Sequence, residues 1–580
     1  MRFKDYKEGL AMRKIRTTVN LLNKSKYGLN ALICAALVAA CGSLPQQSAQ
    51  QSRQQVLSTP AIAPAASASA TASLSGTYTF TYQPSANAGT VARSPIAALP
   101  SSTSVETAKY QQFADTPWRR VSEVPVSTFN ADVDTGSYAN VRRFINSGKM
   151  PPKDAVRVEE LVNYFGYNYS LPAAQAEYPF AVHVQQVQSP WNAQNSVIRI
   201  GIKGKDVAKA TLPAANLVFL VDVSGSMSPQ DRLPLLKSSL KLLVAQLRAQ
   251  DRVSLVSYAN GTRLVLPPTP GNQQEQINAA INTLVASGGT HGEAGIRMAY
   301  AQAKQSFIKD GINRVLLATD GDLNIGVTDR NELKSLVESE RKQGVSLTTL
   351  GVGSSNFNEA LMKTLADVGD GSYHYLDSLQ EAHKVLVNQF TSTLVPIAQD
   401  LKIQVEFNPN LVQEYRLLGY ELRALTREQF NDDKVDAGDI GAGHTVTALY
   451  EIVPIGVKSN VDPLRYQAEA VTTKAEKVAR NNEIAWIKMR YKEPGQTSSK
   501  LLELPVQKLT QPPILSNADT DARFALAVAA WGQWLRGSTL IGDYSMDKAL
   551  ELARGARGED TYGHRAEFLR LVELSMALTR

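Results

Sequence analysis

Between about Ala214 and Leu394, five short and almost wholly apolar runs alternate with amphipathic helices, and this rhythm limits what the chain can build. The runs are Leu217 to Val221, Val253 to Tyr258, Val315 to Ala318, Leu347 to Val352 and Tyr373 to Leu376. Strands without a polar face need cover on both sides. In an α/β alternation this means a doubly wound sheet between two helical layers. The first helix places Leu233, Leu236, Leu240, Leu243, Val244 and Leu247 on one face, with Pro234 tolerated in its opening turn. Further helices are predicted over Gln273 to Ala286, Gly292 to Phe307, Arg330 to Gln343, Asn358 to Val368 and Leu379 to Gln389.

In such a sheet, sites form at the carboxyl edge, where loops converge as strand order reverses. Three loops at that edge offer oxygen: "DVSGS" supplies Asp222, Ser224 and Ser226, "SGGTHGE" supplies Thr290, and "LLATDGD" supplies Asp320. Two carboxylates and three hydroxyls make a hard site suited to Mg²⁺, with Mn²⁺ or Ca²⁺ as alternatives. Together they resemble the metal-ion-dependent adhesion site (MIDAS) of von Willebrand factor type A (vWA) domains, over roughly Ala214 to Leu394. The resemblance implies a Rossmann-like domain in which Ser224, Ser226 and Thr290 ligate directly and Asp222 and Asp320 act mostly through water. It also implies a sixth position left for a carboxylate from a partner. The stretches "FNADVDTGSYANVRRF", "PPKDAVRVEELVNYF" and "ATDGDLNIGV" resemble regions that accompany this domain in a bacterial subfamily of exported lipoproteins.

Other polar clusters are weaker. Asp132 and Asp134 begin like an aspartyl-phosphatase motif, but Gly136 stands where its threonine belongs, so they read as a helix cap near Ser137, with a second cation site as the alternative. The stretch from Asp320 to Asn331 fails as an EF-hand, having Ile325 for the required Gly and Asn331 for the bidentate Glu. Asp322 and Asn324 read as a turn, Glu293 as a first-turn acid, and His291 as a solvated loop residue. No histidine pair has metal-ligand spacing, and nucleotide-binding and hydrolase motifs are absent. Tyr373, His374 and Tyr375, like Trp531 and Trp534, read as packing.

The ends follow different rules. Residues 1–40 join a basic stretch to the apolar "LNALICAALVAAC", a lipoprotein signal peptide whose junction resembles a lipobox, with Cys41 the lipidated residue. Several acyl chains suffice for stable attachment, and Gly42, not an aspartate, favours the outer membrane. The signal holds 8 of the 61 Lys and Arg and 2 of the 54 Asp and Glu, so 53 against 52 remain, a net charge of +1. The basic balance therefore implies no nucleic-acid partner. With Cys34 removed and Cys41 lipidated, no disulfide can form.

Residues 41–116 are a low-complexity tether. Residues 117–210 form an α+β flank with helices predicted at Ser137 to Asn146 and Asp154 to Phe165 and two strands with one wet face. The vWA section (214–394) is followed by a β-rich region at 395–515 and a helical segment at 516–580. The expected architecture is a vWA domain inserted in, or flanked by, one β module. The function expected is non-enzymatic: a cell-envelope protein, held to the membrane by lipid, that docks an Asp or Glu of a protein partner on a Mg²⁺ ion, without nucleotide or nucleic acid. A metal-dependent hydrolase and a structural envelope factor are the alternatives. The hydrolase lacks an assignable general base.

Overall fold

The computed structural model describes residues 110–132, 134–321, 330–354, 358–462 and 482–579. The stretches read as a signal peptide and most of the expected tether, with Cys41, lie outside these residues, as do Asp322 and Asn324.

The amino-terminal flank comprises β1 (Arg119–Arg120), β2 (Val126–Asn130), α1 (Gly136–Asn146), α2 (Val158–Asn163), β3 (Phe180–Gln188) and β4 (Ser196–Gly204). α2 is shorter than the periodicity predicts. Arg157 before it is extended, because its N–H donates to the Ser137 hydroxyl at 2.9 Å and not to a helical carbonyl.

The central section runs β5 (Ala215–Asp222), α3 (Leu233–Val244), β6 (Arg252–Tyr258), β7 (Thr262–Pro270), α4 (Gln274–Asn282), α5 (Gly292–Gln305) and β8 (Ile312–Thr319). It continues with α6 (Arg330–Lys342), β9 (Ser346–Val352), α7 (Glu359–Val368), β10 (Tyr373–Leu376), α8 (Leu379–His383), a π-helical turn and α9 (Phe390–Leu394). Its sheet has the order β10-β9-β8-β5-β6-β7, parallel except for β7, which is antiparallel at the edge. Every residue of β5 is buried, as a central strand covered on both faces must be. β7 is the strand the sequence reading lacks: Pro267, Pro268 and Pro270 argue against a strand, yet an edge position has no second neighbour for them to disrupt.

After it come β11 (Pro396–Phe407), β12 (Val412–Leu417), β13 (Ala424–Leu425), β14 (Gly438–Gly441), β15 (Thr445–Pro454), β16 (Glu483–Lys492) and β17 (Ser499–Gln507). Three helices follow, α10 (Thr520–Arg536), α11 (Met546–Arg554) and α12 (His564–Leu578). The strands on either side of the central section share two antiparallel sheets, β1-β12-β15-β4-β3 and β13-β2-β11-β16-β17. The α/β section is thus an insertion between strands that pair with each other. Apolar residues of both sheets, among them Ile200, Ile403, Tyr450 and Met489, form one core.

β4 has no wet face: Ile198, Ile200 and Ile202 enter that core, while Val197 joins a second one with α1, α2 and the carboxyl-terminal helices. Arg199, on the same outer face, is neutralised by Asp519 at 2.7 Å. Trp531 is fully buried in the second core with its indole N–H on the Ser575 hydroxyl at 3.0 Å, the packing role its helix-period neighbours predict. Among the described residues, no helix is long and apolar enough to cross a membrane.

Candidate metal centre

β5 pairs with β6 on one side and β8 on the other, so strand order reverses at its carboxyl end. Asp222 is its last residue and 0% exposed. One carboxylate oxygen, Oδ1, accepts the Ser224 backbone N–H at 2.8 Å. The other, Oδ2, accepts the Thr319 hydroxyl at 2.8 Å and the Tyr258 hydroxyl at 3.3 Å. Burial raises the Asp222 carboxyl above the usual range. The Ser224 and Thr319 hydrogen bonds oppose this, and the Asp320 charge adds to it. A carboxylate in that position gains from a nearby cation.

The loop after β5 turns Ser224 and Ser226 toward each other, their hydroxyl oxygens 3.0 Å apart. Adjacent ligands of an octahedral ion at about 2.1 Å stand roughly 3.0 Å apart, so the spacing suits a Mg²⁺-sized cation. Ser226 is exposed and Thr290 half-buried, which leaves the outer side of the donor set accessible. Backbone bonds stitch the Thr290 loop to its neighbours: Gly225 N–H to the Gly288 carbonyl, Ser287 N–H to Val223, and His291 N–H to Ala259. Asn260 completes it, its side-chain oxygen accepting the Gly289 N–H at 2.5 Å. A Cβ on Gly288, whose φ is +79°, would meet the same side chain at 2.6 Å.

Asp320 follows β8 and is 1% exposed. Its Oδ2 accepts from Arg232 Nη1 at 2.5 Å, and the same nitrogen donates to the Ser226 carbonyl at 2.6 Å. The oxygen-only donors, the Ser224–Ser226 spacing and the buried carboxylates fit a hard divalent cation. Ser224, Ser226 and Thr290 would supply hydroxyls, and Asp222 and Asp320 would supply charge.

Sequence reasoning missed Arg232, Tyr258, Asn260 and Thr319. Only Thr319 carried a local signal, as the hydroxyl just before Asp320. Glu293 pairs with Arg297 at 2.9 Å, a surface i,i+4 bridge on α5, and the exposed His291 ring lies 3.2 Å from the Ala259 carbonyl.

The helix-cap expectation for Asp132 and Asp134 does not hold. Thr135 occupies the N-cap of α1 without a side-chain bond, and the Ser137 N–H goes to Glu160 at 2.9 Å. Asp134 instead receives Lys363 at 2.9 Å, Arg423 at 3.2 Å and the Tyr373 N–H at 3.3 Å, while Asp132 pairs with Arg423. Carboxylate oxygens of Asp132, Asp134 and Asp367 lie within 4.8 Å of one another. Arg423 also pairs with Asp367, so two cations of the chain, Arg423 and Lys363, already engage these three carboxylates.

Comparison with known proteins agrees with the fold. The model of the von Willebrand factor type A domain matches residues 216–389. A model described as von Willebrand factor matches 104–199, and one described as uncharacterized protein YfbK, C-terminal, matches 392–578. The Escherichia coli (strain K12) uncharacterized protein YfbK is 49% identical over 479 residues, 82% of either chain. The uncharacterized protein sll0103 of Synechocystis is 30% identical over 186 residues, 32% of this chain and 43% of its own. The solved von Willebrand factor type A structure from Catenulispora acidiphila aligns with 69% of this chain and 92% of its own, at 15% identity and a TM-score of 0.37. Proteins with vWA domains mediate protein interactions and adhesion, and such domains commonly bind a divalent metal. The chain belongs to the vWA domain proteins, in the family of E. coli YfbK.

Proposed function

We propose that this chain is a lipid-anchored protein of the bacterial outer membrane whose vWA domain holds Mg²⁺ and docks a carboxylate of a protein partner, without catalysing a reaction. The observation that carries this reading is the paired Ser224 and Ser226 hydroxyls, 3.0 Å apart beside the buried, fully oriented Asp222 and open on the Ser226 side. Hard cations prefer such donors and commonly retain exchangeable positions, one of which an Asp or Glu side chain can take. Docking is favoured over hydrolysis because both Asp222 oxygens accept hydrogen bonds and Asp320 is paired with Arg232, so neither is placed to take a proton from water. The apolar run ending at Cys41 supports the anchor, and the absence of aspartate at position 42 supports the outer membrane.

Isothermal titration of the detergent-solubilised chain with MgCl₂ and MnCl₂ tests the metal. Binding is expected for the natural chain and its loss for Asp222→Ala. Mg²⁺-dependent retention of an envelope protein, abolished in Asp222→Ala and by EDTA, tests the docking. Retention that survives both treatments would remove the metal from the mechanism. Metabolic labelling with a fatty-acid analogue, lost in Cys41→Ser, tests the anchor.

A further inference from the structure

Arg232 stands ten positions beyond Asp222, just before α3, and is 7% exposed. Its Nη1 bridges two loops, donating to the Ser226 carbonyl at 2.6 Å and to Asp320 Oδ2 at 2.5 Å. Space for the guanidinium is reserved by Gly353, just past β9: a Cβ there would stand 2.5 Å from Arg232 Nε, and φ is +83°. Three separate segments therefore converge on this side chain. Counting Asp222, Asp320 and Arg232 together, the donor set has a formal charge of −1, where its two carboxylates alone would give −2.

Resting on the metal-binding reading above, we propose that Arg232 sets the cation affinity of the site. It acts as a resident positive charge that shares Asp320 with any bound ion. A divalent cation meets one carboxylate held by neutral donors only and one already engaged by a guanidinium, so binding is weaker than the two carboxylates alone would give. The same shortage of negative charge raises the affinity of the loaded site for an external carboxylate, which supplies what Arg232 has taken from Asp320. Arg232 is a positioning residue, acting through Asp320 and the Ser226 carbonyl.

The test is isothermal titration of the full chain with MgCl₂ and MnCl₂, comparing the natural protein with Arg232→Gln and Arg232→Lys. Thermal unfolding in EDTA and in Mg²⁺ provides a second readout. Removing the charge in Arg232→Gln is expected to tighten Mg²⁺ binding on the order of tenfold, while Arg232→Lys stays within roughly threefold of the natural chain. Arg232→Gln should melt lower in EDTA, because the buried Asp320 loses this guanidinium, and show the larger rise in Tm on adding Mg²⁺. Unchanged or weaker binding in Arg232→Gln, with no larger rise in Tm, overturns the proposal and makes Arg232 a loop clamp only. If none of the three proteins binds either cation, the metal-binding reading itself fails, a result distinct from binding that ignores Arg232.

Discussion

At the carboxyl edge of the central sheet, Asp222 is held by the Thr319 and Tyr258 hydroxyls and the Ser224 N–H, and Asp320 meets the Arg232 guanidinium. Asp132, Asp134 and Asp367 also gather within a few ångströms, but around Arg423, with Lys363 on Asp134. Neutral donors orient a carboxylate without cancelling its charge, whereas ammonium and guanidinium groups cancel it. The first arrangement keeps a demand for an external cation. The second answers most of that demand from within, since each of its acids has a cationic partner, and it joins the inserted domain, through Lys363 and Asp367 of α7, to the flank that supplies Asp132 and Asp134. A count of nearby carboxylates would rank the second cluster above the first, so what surrounds the acids separates a ligand site from an internal ion network.

Deleting one cation from each cluster has opposite expected consequences. Lys363 sits between Asp134, at 2.9 Å, and Glu160, at 2.7 Å. Lys363→Met strands buried carboxylates and should cost about 3–5 kcal/mol in urea unfolding, with or without Mg²⁺. Arg232→Gln should lose stability in EDTA and regain it in Mg²⁺. Recovery of Lys363→Met by Mg²⁺ would mean that the acidic cluster is a cation site after all. The next largest effect is in acid, close to the same cluster. His374 is buried beside Asp134, and burial lowers its imidazole to about 4. The unfolded chain binds this proton near pH 6.5 and the folded chain only near 4. The histidine's contribution is therefore intact above 6.5 and falls away as pH drops toward 4, by about 3 kcal/mol. His374→Gln should lose correspondingly less over that window in urea melts at stepped pH. Identical losses would assign the acid sensitivity to other groups.

How far the sequence reveals these two clusters depends on how local their parts are. Apolar runs such as Leu217 to Val221 mark central strands, because burial on both faces leaves no polar positions, and the three ligand loops follow from where those strands end. The Asp519 cap, its side chain on the Ala522 N–H at 2.6 Å, and Gly537 at φ +68° bound α10 where the local residue types indicate. β7 is hidden because an edge position overrides what its prolines suggest. Asp132 and Asp134 are misread because their partners, Lys363 and Arg423, lie more than two hundred residues away and no spacing rule connects them. Arg232 is hidden for a related reason. No motif or spacing marks it in sequence, and its bond to Asp320 exists only once β5 and β8 are neighbours.

Asp222→Asn probes the carboxyl edge of the central sheet. It removes one buried charge while keeping most of the hydrogen-bonding shape, so stability in EDTA should change little. The stabilisation given by Mg²⁺, about 2.7 kcal/mol at one hundred times the Kd, should disappear. A differential melt with and without Mg²⁺ reads both quantities on one sample. Persistent Mg²⁺ stabilisation in Asp222→Asn would place the cation elsewhere in the molecule.

The smallest effect concerns the hydroxyl that orients Asp222. Thr319 is fully buried, donates to Asp222 Oδ2 at 2.8 Å and accepts the Gly321 N–H at 3.1 Å. Thr319→Val keeps the volume and removes both bonds, leaving Oδ2 with the longer Tyr258 contact. Such partners tune metal affinity by fixing ligand orientation, so Mg²⁺ binding should weaken about tenfold while metal-free stability falls by about 1–2 kcal/mol. Both changes are needed. A stability loss with unaltered Mg²⁺ affinity would mean that the Ser224 N–H alone orients the carboxylate and that Thr319 serves only the turn at Gly321. Weaker binding together with the loss would show that neutral hydrogen bonds to Asp222 are what distinguish this edge of the sheet from the cation-paired acids at Asp132 and Asp134.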